Sequence, residues 1–235
     1  MNQYYRVADL IVEMDTFGRT ASQAEPYRVD GEPTPDIRIS ADFRTLKENQ
    51  PHLSEDDCEY LMTGSSFYHQ LVGFDGLCLH SSAVVMDGKA YLFSAPCGTG
   101  KSTHTALWRK VFGSDRVQML NDDKPALRLV DGKWYAYGTP WSGKYDISTN
   151  VRVPVGGICM LNRGEVNKIE PFVGAKAVSA LLEQTTRQKN AAFMQKMLTL
   201  LDKLITDVPI WRLECNMDPE AAILSHRVMS GEEDK

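Results

Sequence analysis

Ser94-Ala95-Pro96-Cys97-Gly98-Thr99-Gly100-Lys101-Ser102-Thr103 is the stretch from which the fold is read. Residues 89–93 before it form a short apolar run with strand character, and residues 103–112 after it read as a helix ending at Gly113. A glycine-rich bend from strand to helix that closes on Gly-Lys-Ser is a phosphate cradle. Consecutive backbone N–H groups turn inward, and the helix N-terminus adds partial positive charge. Cys97, Gly98, Thr99, Gly100 and Thr103 form the cradle with Lys101 and Ser102. In such a cradle the lysine reaches the β/γ-phosphates and the serine hydroxyl ligates Mg²⁺, so ATP and Mg²⁺ are the expected cofactors. One position departs from the usual G-x-x-x-x-G-K-S pattern: Ala95 stands where the first glycine belongs.

The strand before the loop is itself preceded by residues 77–86 and by Asp87-Gly88, a two-residue hairpin signal. A hairpin demands an antiparallel neighbour, whereas ordinary phosphate-loop enzymes are built from parallel crossovers. Beyond the helix, residues 116–120 read as a strand ending in Asn121-Asp122-Asp123. Residues 126–130 and 134–137 then flank a second hairpin turn, Asp131-Gly132. The fold class is therefore α/β, with a mixed, largely antiparallel sheet holding the phosphate loop and a small β-rich N-terminal portion. A composition shift at residues 73–76 divides the chain into 1–75, the β-rich and helical N-terminal portion, and 76–235, the nucleotide-binding domain.

Asp122 and Asp123 lie about twenty residues after Lys101, at a strand's C-terminal end, where a phosphate-loop enzyme keeps a metal-ligating carboxylate. Neighbours on an extended chain point to opposite sides. That suits a divided role, one carboxylate near Mg²⁺ and the other facing an acceptor hydroxyl as general base. An Asn-Asp-Asp turn with no chemical role is the alternative. Phosphoryl transfer also needs cations over the developing charge, and Lys144 and Arg152, in polar loops downstream, are the candidates. His80, entering the strand before the hairpin, is either a hydrogen-bonding partner of Asp122 or the acceptor, or a structural histidine.

Taken together, Leu79-His80-Ser81-Ser82-Ala83-Val84, the Asp87-Gly88 turn, Cys97–Thr103 and Asn121-Asp122-Asp123 resemble the catalytic domain of HPr kinase/phosphorylase. The same order is similar to the nucleotide domain of ATP-dependent phosphoenolpyruvate carboxykinase. The resemblance spans residues 77–170. It implies that His80 matches the histidine that begins that strand, that Asp122 is the base and that Asp123 is the metal-side carboxylate with Ser102. Asn150-Val151-Arg152, followed by Pro154, resembles the carboxykinase stretch whose arginine contacts the γ-phosphate. The Glu-x-Arg-Gly segment of HPr kinase is absent, so the implied acceptor is a hydroxyl in general: a serine of a protein or peptide, or a small molecule. A nucleotide-binding regulator without transfer, and an ATP hydrolase, are the competing functions.

The remaining sequence sets the frame. The 235 residues carry a net charge of −5, which speaks against a nucleic-acid-coating role. Five cysteines without a CxxC pair, and no apolar leader or long apolar run, predict a reduced, cytoplasmic protein with no membrane span. Residues 4–13 read as one strand, 27–29 and 37–39 as short strands, and 16–35 as repeated turns. Ser54 caps a helix expected to end near Gly64, with a second short helix over 67–72. Helices are expected over 175–182, over 190–206 with one apolar stripe, and from Asp218-Pro219 onward. The stripe suits core packing, and a homo-oligomer is left open. Residues 184–190, polar and basic, are placed to close over a substrate, and residues 231–235 are expected to fray.

Overall fold

A computed structural model describes residues 3–40, 42–143 and 145–231. The N-terminal strands are β1 (Gln3–Val7), β2 (Leu10–Met14), β3 (Arg28–Val29) and β4 (Ile37–Ile39), and the helices among them and after them are α1 (Gly18–Ala24), α2 (Arg44–Asn49) and α3 (Glu55–Leu71). They form a four-stranded sheet in the order β3-β1-β2-β4. The single strand expected over residues 4–13 is instead a hairpin. Ala8 and Asp9 both take left-handed backbone angles, φ 53° and 62°, without a glycine to announce the turn. Likewise α1 occupies part of the stretch read as turns.

α3 begins as expected, with Ser54 Oγ accepting from the Asp57 N–H. It then runs through Gly64 as one helix rather than two. Gly64 is there for space. A Cβ on it would lie 2.8 Å from the Trp141 ring, and the fully buried indole stacks on Phe67 at 4.9 Å. Thus α3, the N-terminal sheet and the segment carrying Trp141 share one core, which also holds Tyr5, Val12, Ile37 and Tyr137.

The remaining strands are β5 (Gly76–Cys78), β6 (Ser81–Met86), β7 (Lys89–Ser94), β8 (Gln118–Asn121), β9 (Ala126–Val130), β10 (Lys133–Tyr137), β11 (Arg152–Arg163), β12 (Lys168–Pro171) and β13 (Ile210–Cys215). The remaining helices are α4 (Lys101–Phe112), α5 (Ala175–Glu183), α6 (Ala191–Asp207) and α7 (Pro219–Ser230). The run expected as one strand over 77–86 breaks at Leu79-His80, so β5 pairs with β9 while β6 pairs with β7 and β8. The strand order is β5-β9-β10-β11-β7-β6-β8, with β13 parallel on the second half of β11 and β12 antiparallel on β13. Both Asp-Gly hairpins form, with φ of 51° and 74° at Asp87-Gly88 and 49° and 75° at Asp131-Gly132.

β11 turns the sheet. Its first residues pair with β10 and its later ones with β7, across an irregularity between Val155 and Gly157. The two glycines there have a packing reason: a Cβ on Gly157 would meet Trp211 at 2.4 Å. The central strands are buried on both faces with period two. Leu92 and Ile158 face α5 and α6, where Leu181, Leu201 and Leu204 cover them. Tyr91, Phe93 and Cys159 face α4 and α7, around the fully buried Trp108. Ser225 of α7 accepts from Trp108 Nε1 at 2.9 Å and bonds His104 Nε2 at 3.0 Å, so α4 is fixed at its start and middle. The architecture is thus a mixed α/β fold with a small N-terminal sheet. Among the described residues, no helix is long and apolar enough to cross a membrane.

Candidate active site

The end of β7 delivers the chain to the phosphate loop, and Ser94 Oγ ties that end to the His80 carbonyl at 2.8 Å. Ala95 is fully buried and belongs to the Phe93–Trp108 core, so the methyl that replaces the usual glycine fills space there. The glycines that matter lie further along. Gly98 and Gly100 hold φ of 78° and 123°, and the space where a Cβ would stand is open at both. Lys101, the first residue of α4, is buried, and its ammonium donates to the Ala95 carbonyl at 2.8 Å. Burial lowers its pKa, with the charges of Asp123, Cys97 and Asp122 opposing that shift.

β8 places the two carboxylates. The buried Asn121 side chain accepts from the N–H groups of Asp123 and Lys124 at 2.9 and 2.7 Å, and donates to the Thr139 carbonyl at 3.0 Å. That side-chain turn aims the next residues apart. Asp122 Oδ1 accepts from Ser82 Oγ at 2.7 Å, and Ser82 in turn bonds Thr105 of α4 at 2.8 Å. Asp123 Oδ1 instead lies 3.3 Å from His80 Nε2, and its Oδ2 lies 3.5 Å from Lys124 Nζ. Burial pushes the Asp123 carboxyl up, but the His80 hydrogen bond and the Lys124 charge outweigh it, so its pKa is lowered overall. His80 is oriented from behind by Gln184, whose Oε1 lies 3.0 Å from Nδ1. Gln184 opens the polar 184–190 segment.

A cavity of about 380 Å³ gathers His80, Cys97, Gly98, Gly100, Lys101, Ser102, Thr103, Asp122 and Asp123, with Gly143 and Tyr145 also in its lining. Thr99 lines an adjoining cavity of about 470 Å³ with Leu107, Leu161 and Met217. The open Cβ positions at Gly98 and Gly100, the buried lysine, the serine hydroxyl and the paired carboxylates form a donor and acceptor set of the kind that could hold a phosphate group and a divalent cation.

Arg152 is not among the residues brought together. Its guanidinium pairs with Asp9 at 3.2 Å and lies over the Tyr135 ring at 3.8 Å. Lys144 falls outside the described residues, as do residues 232–235 of the tail expected to fray. Two cations that sequence reasoning missed are present instead. Arg163, at the end of β11, donates from Nε to the Thr99 carbonyl at 3.2 Å and from Nη2 to the Gly98 carbonyl. Lys124 follows the Asp-Asp pair directly, and that adjacency was a readable signal. Arg163 lies sixty residues along the chain from the loop, and only the parallel pairing of β11 with β7 brings it there.

No family model and no curated protein sequence matches the chain. Among solved structures it is similar to an HPr(Ser) kinase/phosphatase from Coxiella burnetii. The match has 14% identity and a TM-score of 0.37, and it covers 64% of this chain and 96% of that one.

Proposed function

We propose that the chain is a phosphotransferase that uses ATP and Mg²⁺ to phosphorylate a hydroxyl, on a serine of a protein or peptide or on a small molecule. The observation that carries this reading is one cavity lined by both halves of the chemistry, Gly98 and residues 100–103 of the cradle and the Asp122-Asp123 pair. Bound ATP with Mg²⁺ would supply the transferable phosphoryl group and part of its charge neutralisation. The loop N–H groups and Lys101 would bind and orient the phosphates. Ser102 and Asp123 would hold the metal. Asp122 would accept the proton of the acceptor hydroxyl, with Ser82 fixing its orientation through Oδ1. Arg163 would stiffen the loop through its carbonyls.

One observation favours the reverse division of the two carboxylates. Asp122 is linked through Ser82 and Thr105 to the helix that carries Ser102, whereas Asp123 pairs with His80. Asn variants separate the two assignments. The base variant keeps Mg²⁺-dependent nucleotide binding and loses transfer, while the metal-side variant weakens both.

The test is incubation with γ-labelled ATP and Mg²⁺, with and without a panel of hydroxyl acceptors. Acceptor-dependent label transfer supports the kinase. Acceptor-independent phosphate release supports a hydrolase, and tight binding without turnover supports a regulator.

A further inference from the structure

A third cavity, of about 370 Å³, adjoins the phosphate-loop cavity and shares Ser102, Thr103, Asp122 and Tyr145 with it. That volume falls within the roughly 300–1,000 Å³ usual for small-ligand sites. Ser102, Thr105, Ala106 and Arg109 recur at helical spacing, so one stripe of α4 forms a wall. The 470 Å³ cavity takes the other side of the helix, at His104 and Leu107. Arg109 and Asp122 are the charged groups of the third lining, among the described residues. Asp122 is fixed: Ser82 donates to its Oδ1 at 2.7 Å, and its backbone N–H donates to the Ile147 carbonyl at 3.1 Å. Arg109 is half-buried and unmatched. Its Nε is enclosed without an acceptor, and its guanidinium makes no hydrogen bond or ion pair among the described residues. The dipole of α4 favours a cation in this last turn, yet leaves the fork of N–H donors without an acceptor. Met119, Tyr145 and Ile147 give the lining its apolar surface, and the last two are exposed.

We propose that this cavity is the acceptor site, and that the acceptor carries an oxyanion group, a carboxylate or a phosphate, held by Arg109 while its hydroxyl meets Asp122. The inference rests on the phosphotransferase reading and adds the class of substrate to it. A guanidinium takes such a group through two parallel N–H donors, which is the partner that Arg109 lacks. The 470 Å³ cavity touches neither carboxylate of the Asp-Asp pair, so a hydroxyl seated there would meet no base. Asp122 lines both the phosphate-loop cavity and the third one, whereas Asp123 lines only the former of these. Arg109 follows Ser102 by two helical turns, roughly 10 Å along α4. The hydroxyl and the oxyanion therefore stand several bonds apart, joined by a stem against Met119, Tyr145 and Ile147. A free hydroxy acid or hydroxyalkyl phosphate, and a peptide serine with an acidic side chain nearby, share this chemistry. In the transfer, the acceptor oxygen forms its bond to the γ-phosphorus as the bond to the β,γ-bridging oxygen breaks. ADP leaves with that electron pair, and the hydroxyl proton passes to the Asp122 carboxylate.

The experiment measures binding and transfer side by side on the full chain. The probes are 6-hydroxyhexanoate, 4-hydroxybutyl phosphate and an acetyl-Ser-Ala-Glu-amide peptide, with 1,6-hexanediol and acetyl-Ser-Ala-Gln-amide as uncharged controls. Calorimetry with and without a non-hydrolysable ATP analogue and Mg²⁺ reads binding, and γ-labelled ATP reads transfer. At least one anionic probe should bind saturably and take the label, with its uncharged control at least tenfold weaker in both. Arg109→Gln should weaken binding of that probe roughly ten- to a hundredfold and raise its KM towards that of the control. Arg109→Lys, which keeps the charge without the fork, should recover part of the loss. Label on the free anions alone identifies a small molecule as the source, and label on the peptide alone identifies an acidic serine peptide. Anion binding that Arg109→Gln weakens, with no label transferred, overturns the phosphotransferase reading and leaves the anion site standing. Equal use of charged and uncharged acceptors, or unchanged affinity in Arg109→Gln, overturns the proposal and leaves phosphotransfer standing. Absence of saturable binding by every anionic probe overturns the proposal as well.

Discussion

The phosphate-loop cavity and the cavity lined by Glu13, Asp15, Arg38 and Glu59 treat a carboxyl in opposite ways. At Asp123, burial alone would favour the protonated form, but His80 and Lys124 stand within 3.5 Å and keep the carboxyl below its ordinary range. At Glu59, burial meets only a hydroxyl and an N–H, and the carboxyl rises to about 7. The difference teaches that partners set against depth decide the sign: the half-buried Asp123 has charged partners and falls, while the deeper Glu59 has none and rises. At Asp123 the partners favour the ionised carboxylate. At Glu59, with no charged partner of opposite sign, burial favours the protonated form.

The largest expected effect tests whether the two regions are one folded unit. Trp141, in the segment that ends at Gly143, is fully buried against α3, and Gly143 lines the phosphate-loop cavity. Trp141→Ala should cost about 3–5 kcal/mol in denaturant unfolding and shift the signals of both regions together. Separate transitions would split the comparison into two independent bodies.

Next in size is the pH dependence of stability. Glu59 has a raised folded pKa, so its contribution is present below its ordinary value and lost as pH rises towards about 7. Glu59→Gln should therefore stabilise the fold near pH 8, by up to about 3 kcal/mol, and change little near pH 4. Asp123, with a lowered pKa, contributes stability above the ordinary carboxylate range and loses it as pH falls. Asp123→Asn should reverse the trend, destabilising more near neutrality than in acid. Thermal melts over that range check both signs. The same sign in both variants would break the comparison.

A smaller effect should separate the cavities functionally. Lys101→Ala removes the ammonium of the cradle and should weaken ATP binding by roughly ten- to a hundredfold. It should leave the Glu59-dependent change of stability with pH unchanged, since Lys101 does not line that cavity.

Much of the phosphate-loop cavity was legible because its parts are local. Gly98–Thr103 is contiguous, the Asp-Gly turns carry their own backbone signal, and Asp122-Asp123 ends a strand. What escaped depends on distant chain. Arg163 reaches the loop through strand pairing, and Gly64 sits inside a helix because of an indole 77 residues away. Arg152, promising by its neighbours, is held by Asp9 and Tyr135. The cavity at Glu59 draws residues from positions 13 to 59 with no repeating interval, so no motif could announce it.

The central claim is most directly tested by following the label of γ-labelled ATP with Mg²⁺ and hydroxyl acceptors, in the wild type beside Asp122→Asn and Asp123→Asn. The expected result is label on an acceptor hydroxyl in the wild type and its loss in both variants, with nucleotide binding retained in one of them. Transfer at the wild-type rate in both variants, or ATP left unbound by the wild type, would contradict the account.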